Sequence, residues 1–139
     1  MSPTFKKPII VTLVLLAATG LFVVYYKFNP SQGSIFLSCP WRLATGYHCP
    51  GCGSQRAIHQ LLHLNVIAAF RLNPFMVLSL PLILYALGLR LWNYLYNTQY
   101  RIALFYKKWF IFGYFGLAIL YWVLRNLPYY PFNLLAPTE

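Results

Sequence analysis

The chain has 139 residues, and 60% of them are hydrophobic while 9% are charged. An ordinary soluble domain carries about 25% charged residues, so this balance points to a multi-pass membrane protein of one domain. The single acidic residue, Glu139, excludes mechanisms built on paired carboxylates, a Ser-His-Asp triad or a carboxylate cage for calcium or magnesium.

The net charge is +10. The basic residues sit at the ends of apolar runs, which suits lipid headgroups and not a nucleic-acid groove. With so few acids, the arginines must meet water, backbone carbonyls, lipid phosphates or the carboxylates of a partner.

In chain order, residues 8–26 form an uncharged apolar run of bilayer-spanning length, and the span, about 8–27, ends in Tyr25-Tyr26-Lys27. A cleaved signal peptide is the competing reading. The aromatic-basic end resembles an interface anchor more than a small-residue cleavage site. Residues 28–53 read as a cysteine-rich loop without regular structure, broken by Asn29-Pro30, Gly33-Ser34, Cys39-Pro40, Gly46 and Pro50-Gly51. Ile35-Phe36-Leu37 and Trp41 suggest that it dips into the headgroup region. Residues 54–72 read as one amphipathic interfacial helix, with Arg56, His59, Gln60 and His63 on one face and Asn73-Pro74 ending it.

Residues 75–96 read as a second span, with Pro81 expected to kink it and Arg90 in its last third. Residues 107–125 read as a third, flanked by aromatics at both ends. The expected architecture is therefore an all-α integral membrane protein, a single domain over 1–139 with about three transmembrane helices and one amphipathic helix. Charges divide almost evenly between the two sides. The lysine pairs Lys6-Lys7 and Lys107-Lys108 place the cysteine loop outside the cytoplasm.

All three cysteines and all three histidines fall between positions 39 and 63. Cys49-Pro50-Gly51-Cys52-Gly53 has the shape of a metal knuckle, in which two thiolates reach one ion and the glycine lets amides turn toward sulfur. A closed zinc site needs four ligands. Cys39 is the candidate third, and His48, His59 or His63 the candidate fourth. His59 and His63 have the i, i+4 spacing of a metal-binding pair, but Gln60 stands where a zincin carries its glutamate. The same cysteines permit a disulfide staple, or a redox dithiol with Cys52 attacking and Cys49 resolving. Cys52 lies just before a helix N-terminus and beside Arg56, both of which lower a thiol pKa. Arg56 and Arg71 are the candidate contacts for lipid or a partner, and no residue is assigned a catalytic role.

Cys39-Pro40, Thr45-Gly46, Cys49-Pro50-Gly51-Cys52-Gly53, Arg56-Ala57 and Arg71-Leu72-Asn73-Pro74 together resemble the signature of a bacterial membrane family, domain of unknown function 2752. Arg125-Asn126 and the proline-aromatic tail are similar as well. The chain departs from the pattern at Gln55, where the family usually has Thr, and at Leu64-Asn65, where it often has Gly-Asp. The resemblance implies a small bacterial inner-membrane protein and no particular reaction. The reading that follows is a non-enzymatic accessory or binding module of a membrane complex, in contact with the bilayer and other membrane subunits. Its cysteine loop is structural or metal-binding, with zinc the expected cofactor in the metal-binding case. The alternative is a metal-binding or thiol-disulfide redox membrane protein using Cys49 and Cys52.

Overall fold

The computed structural model describes residues 3–32, 36 and 38–137, with the side chains of 3–7 left out of that description. The expectations for Gly33-Ser34, Ile35 and Leu37 lie outside the described residues, as does Glu139. The described chain is helical, and no strand occurs in it.

Helix α1 is Pro3–Lys27 and α5 is Pro74–Tyr96, each long and apolar enough to cross a membrane. The shorter apolar helix α6 is Lys108–Leu124. These three match the three apolar runs of the sequence to within a few residues. Both Pro8 and Pro81 are carried inside their helices. None of the most apolar window of α1 is buried against the rest of the chain. Leu13, Leu16, Leu21, Leu78, Tyr85, Phe112 and Phe115 are all more than half exposed.

Between α1 and α5 the structure departs from expectation twice. The loop over 28–53 contains a 3-10 turn, Pro30–Gln32, and a short helix α2, Pro40–Thr45. Pro40 at N1 suits a helix start because its missing N–H has no intrahelical partner there. Gly46 in the left-handed region closes α2, donating its N–H to the Arg42 carbonyl at 2.9 Å.

The helix expected over 54–72 is two helices, α3 (Ser54–Leu62) and α4 (Val66–Leu72). The break falls at Leu64, which has φ +61°, and at Asn65, whose side chain accepts from the Ala68 amide at 3.4 Å. The two helices pack on each other, with the start of α3 against the end of α4. Asn73 ends α4 and caps α5, its side chain accepting from the Met76 amide at 3.0 Å.

The ends of the long helices meet at one place. The C-terminal end of α1 docks on α3, where the ring nitrogens of His59 and His63 face the carbonyls of Tyr25 and Tyr26 at 2.7 and 3.0 Å. The N-terminal end of α5 and the C-terminal end of α6 converge on the cysteine loop. At the far end, Asn93 folds the α5–α6 connection by bonding Tyr100 and Thr98. The buried side chains among the described residues are few: Cys52, Ala57, Ala69, Asn73, Ser79, Tyr121, Arg125 and Pro137. Most of them surround the cysteine loop.

Candidate metal centre

Cys49-Pro50-Gly51-Cys52 forms a tight turn, closed by the Cys52 amide donating to the Cys49 carbonyl at 3.1 Å. The Cys49 amide donates to the Cys52 sulfur at 3.2 Å. Gly53 then takes φ +83° and starts α3. Glycine is required there on two counts. The backbone is left-handed, and a Cβ would lie 2.6 Å from the Leu72 carbonyl oxygen and 3.1 Å from Pro137 Cβ.

Cys39, at the start of α2, brings the third sulfur. Its Sγ lies 3.3 Å from Cys49 Sγ, which lies 3.2 Å from Cys52 Sγ. All three sulfurs fall within 4.8 Å of one another, the one group of three or more metal-type donors among the described residues. A zinc–sulfur bond of 2.3 Å sets a tetrahedral sulfur–sulfur edge of about 3.8 Å; the Cys39–Cys49 and Cys49–Cys52 contacts, at 3.3 and 3.2 Å, would open by about half an ångström around such an ion. Cys49 is central and touches both neighbours, so the geometry does not select one pair for a disulfide. All three thiols are free.

The knuckle is held through its carbonyls by residues distant in sequence. Arg125, 1% exposed, donates from Nη1 to the Cys49 and Pro50 carbonyls at 3.0 and 3.2 Å, and from Nη2 to that of Cys52 at 3.1 Å. Asn73, with no exposed surface, donates from Nδ2 to the Pro50 and Cys52 carbonyls and the Ser54 hydroxyl at 3.0–3.3 Å. Asn126 pairs with both polar groups of the His48 backbone, at 2.8 and 2.9 Å, and Trp122 Nε1 donates to the His48 carbonyl at 2.9 Å. Unpaired buried carbonyls are costly. Here four of them are taken up by the ends of α5 and α6, which fixes the turn.

The thiols are unequal. Burial pushes Cys52 up to about 12, and the neighbouring Cys49 side chain adds to it. The expectation of a lowered Cys52, drawn from a helix N-terminus and Arg56, is corrected by that burial. Cys39 is held below its ordinary value. Burial pushes it up, but the backbone amide of Arg42, the Cys49 and Cys52 side chains and the Trp41 amide together outweigh this.

The histidines are placed apart from the sulfurs. His59 and His63 meet edge to face at 4.5 Å, and His63 stacks on Tyr26 at 4.5 Å. Their rings dock α1. His48 adjoins Cys49 in sequence, but its ring nitrogens are not in the sulfur group. Arg56 is half-buried and engaged within the chain, and Arg71 is exposed. Sequence reasoning passes over Asn73, Trp122, Arg125 and Asn126 as parts of the site. Its signals for them are a helix-breaking Asn-Pro and an arginine with no acid to pair with.

The site defines an all-helical protein with two helices of membrane-crossing length and a three-cysteine knuckle able to hold a metal ion. Residues 39–87 match the model of the family described as protein of unknown function (DUF2752), the family its motifs resemble. That stretch runs from Cys39 into α5, so Arg125 and Asn126 lie beyond it. No curated protein and no solved structure matches the chain.

Proposed function

We propose that this chain is a three-span bacterial inner-membrane protein, a non-enzymatic binding module whose knuckle holds a divalent metal ion. The observation that carries the metal reading is the approach of Cys39 and Cys52 to Cys49 at 3.3 and 3.2 Å, all three sulfurs within 4.8 Å of one another, with their turn fixed from both sides. Zinc suits it, because thiolates are its common structural ligands and it brings no redox chemistry. A redox dithiol is less well supported, since its attacking residue would be the buried Cys52, whose thiol is pushed up.

The membrane reading is supported by where the helix ends fall. The C-terminal end of α1, the N-terminal end of α5 and the C-terminal end of α6 share the side of the knuckle, as three alternating spans require. Docking of Tyr25 and Tyr26 on His59 and His63 also favours a retained first helix over a cleaved signal. Lys6, Lys7, Arg101, Lys107 and Lys108 then lie at the opposite end. Placing that end in the cytoplasm puts the knuckle outside. Exposed Trp41, Leu43 and Tyr47 beside the knuckle, with exposed Arg71, supply a surface for lipid headgroups or another membrane subunit.

The test is elemental analysis with thiol counting on the full chain in detergent. One zinc per chain, with thiols that react only after chelation, supports the reading. Two oxidised thiols and no metal would replace it with a disulfide staple. For the partner, purification in mild detergent should retain an associated subunit, and a monomer without one counts against that half of the proposal.

A further inference from the structure

Arg125 is the largest fully buried side chain in the described structure. Its guanidinium is permanently charged. Its hydrogen bonds go only to neutral groups, three backbone carbonyls, and the face of Tyr121 lies 5.0 Å from Cζ. Its Nε is buried and has no hydrogen-bond partner. The one acidic side chain in the sequence is Glu139. An uncompensated buried charge is strongly unfavourable, so the site calls for an anion.

The three carbonyls Arg125 grips belong to Cys49, Pro50 and Cys52, two of which bear cluster sulfurs. Three thiolates around a divalent ion carry a net charge of −1, and the guanidinium brings the site to zero. A monovalent ion on the same thiolates leaves −1 uncompensated, and so does a fourth thiolate on a divalent ion.

We propose that Arg125 is the built-in counter-charge of a centre in which Cys39, Cys49 and Cys52 bind one divalent thiophilic ion as three thiolates. This rests on the metal reading above and deepens it. Arg125 is not a ligand. It positions the knuckle through the carbonyls and makes the loaded centre neutral, which selects a divalent ion over a monovalent one.

The experiment titrates Co²⁺ into the full chain in detergent and reads thiolate-to-cobalt charge-transfer absorption, for wild type, Arg125→Gln, Arg125→Lys and Glu139→Gln. Wild type should bind one ion with three-thiolate intensity. Arg125→Gln should bind roughly tenfold or more weakly, as outer-shell changes do, and Arg125→Lys should recover most of the loss. Glu139→Gln should match wild type. If Arg125→Gln binds like wild type, or Lys is no better than Gln, the charge is not the reason for the arginine and the proposal fails. It fails as well if Glu139→Gln reproduces the Arg125→Gln loss, since the tail acid would then be the counter-charge. Should Arg125→Gln not fold, proton release on Cd²⁺ binding to wild type, measured in buffer acid enough that Cys39 too is protonated beforehand, gives the charge of the loaded centre. Close to three protons per ion supports it, and two or fewer overturn it. A wild type that binds no Co²⁺ would sink the metal reading itself, whereas binding without Arg125 dependence sinks only this inference.

Discussion

The Tyr121 hydroxyl donates to Asn73 Oδ1 at 3.2 Å, joining the C-terminal end of α6 to the first turn of α5. Both residues are buried, and Phe75 stacks on the Tyr121 ring at 5.4 Å. The same Asn73 oxygen caps α5, while its amide nitrogen grips the knuckle. One side chain thus couples the two helices to the cysteine turn. The knuckle's geometry therefore depends on how α5 and α6 sit together.

Asn73→Ala should accordingly be among the most damaging single changes. It removes an N-cap, cuts the donors to Pro50, Cys52 and Ser54, and leaves the Tyr121 hydroxyl buried without its acceptor. The expected loss is about 2–4 kcal/mol. A thermal melt in detergent should fall by several degrees, and Cys52 should become more reactive to alkylation. Tyr121→Phe removes only the hydroxyl and should cost roughly 1 kcal/mol. Equal effects from the two variants would contradict the central place given to Asn73.

Gly53 and Gly46 allow a clean comparison of strain with clash. Both have positive φ, +83° and +76°, but a Cβ on Gly46 meets nothing within 4 Å whereas one on Gly53 meets the Leu72 carbonyl at 2.6 Å. Gly46→Ala should therefore cost only the left-handed penalty of about 1–2 kcal/mol. Gly53→Ala should cost more, because the end of α4 must move, and it should also loosen metal binding. Melting temperatures of the two variants give the difference directly. A Gly53→Ala protein as stable as Gly46→Ala would mean that α3 and α4 separate freely.

How much of this was readable from sequence divides by distance along the chain. The apolar runs at 8–27, 75–96 and 107–125 give α1, α5 and α6 because length and hydropathy are local properties. The knuckle is readable because Cys49, Cys52 and Gly53 act within one turn. Cys39, ten residues away, is found by residue type. The break between α3 and α4 is not readable, since Leu64 at φ +61° carries no turn signal and Asn65 looks like one polar residue among many. Arg125 is hidden for another reason. It meets the knuckle across 73 to 76 residues, and only folding brings α6 there. The thiol of Cys52 shows the same override, because burial outweighs the nearby helix end and Arg56.

His59 and His63 belong to the docking of α1 rather than to the sulfur cluster. The double variant His59→Ala/His63→Ala removes two hydrogen bonds to the Tyr25 and Tyr26 carbonyls and the stack on Tyr26. Each bond is worth about 1 kcal/mol. The variant should bind metal with unchanged stoichiometry while protease cuts more readily between α1 and α2. Loss of the bound ion in that variant would place a histidine in the coordination sphere and contradict the arrangement described here.

The order in which the metal-free thiols react tests the site most directly. The thiolate is the reactive form. Cys39 is held below its ordinary value and sits half-exposed, so it should be alkylated first near neutral pH. Cys52, pushed up to about 12 and buried, should be the last. The sign for stability follows from the same shift. A thiol whose folded pKa is raised above its unfolded value of 9.0 favours the folded state while neutral. That contribution is complete below pH 9 and is lost as the pH rises toward 12. The metal-free protein should therefore weaken in strongly alkaline buffer, and Cys52→Ala should lessen that loss. Bound metal reverses the logic, since it needs all three sulfurs deprotonated and holds them so. Loaded protein should then show no alkylation at any of the three sites until a chelator is added. Mass spectrometry of a timed iodoacetamide reaction reads the whole series, and labelling of Cys52 before Cys39 in the metal-free chain would refute it.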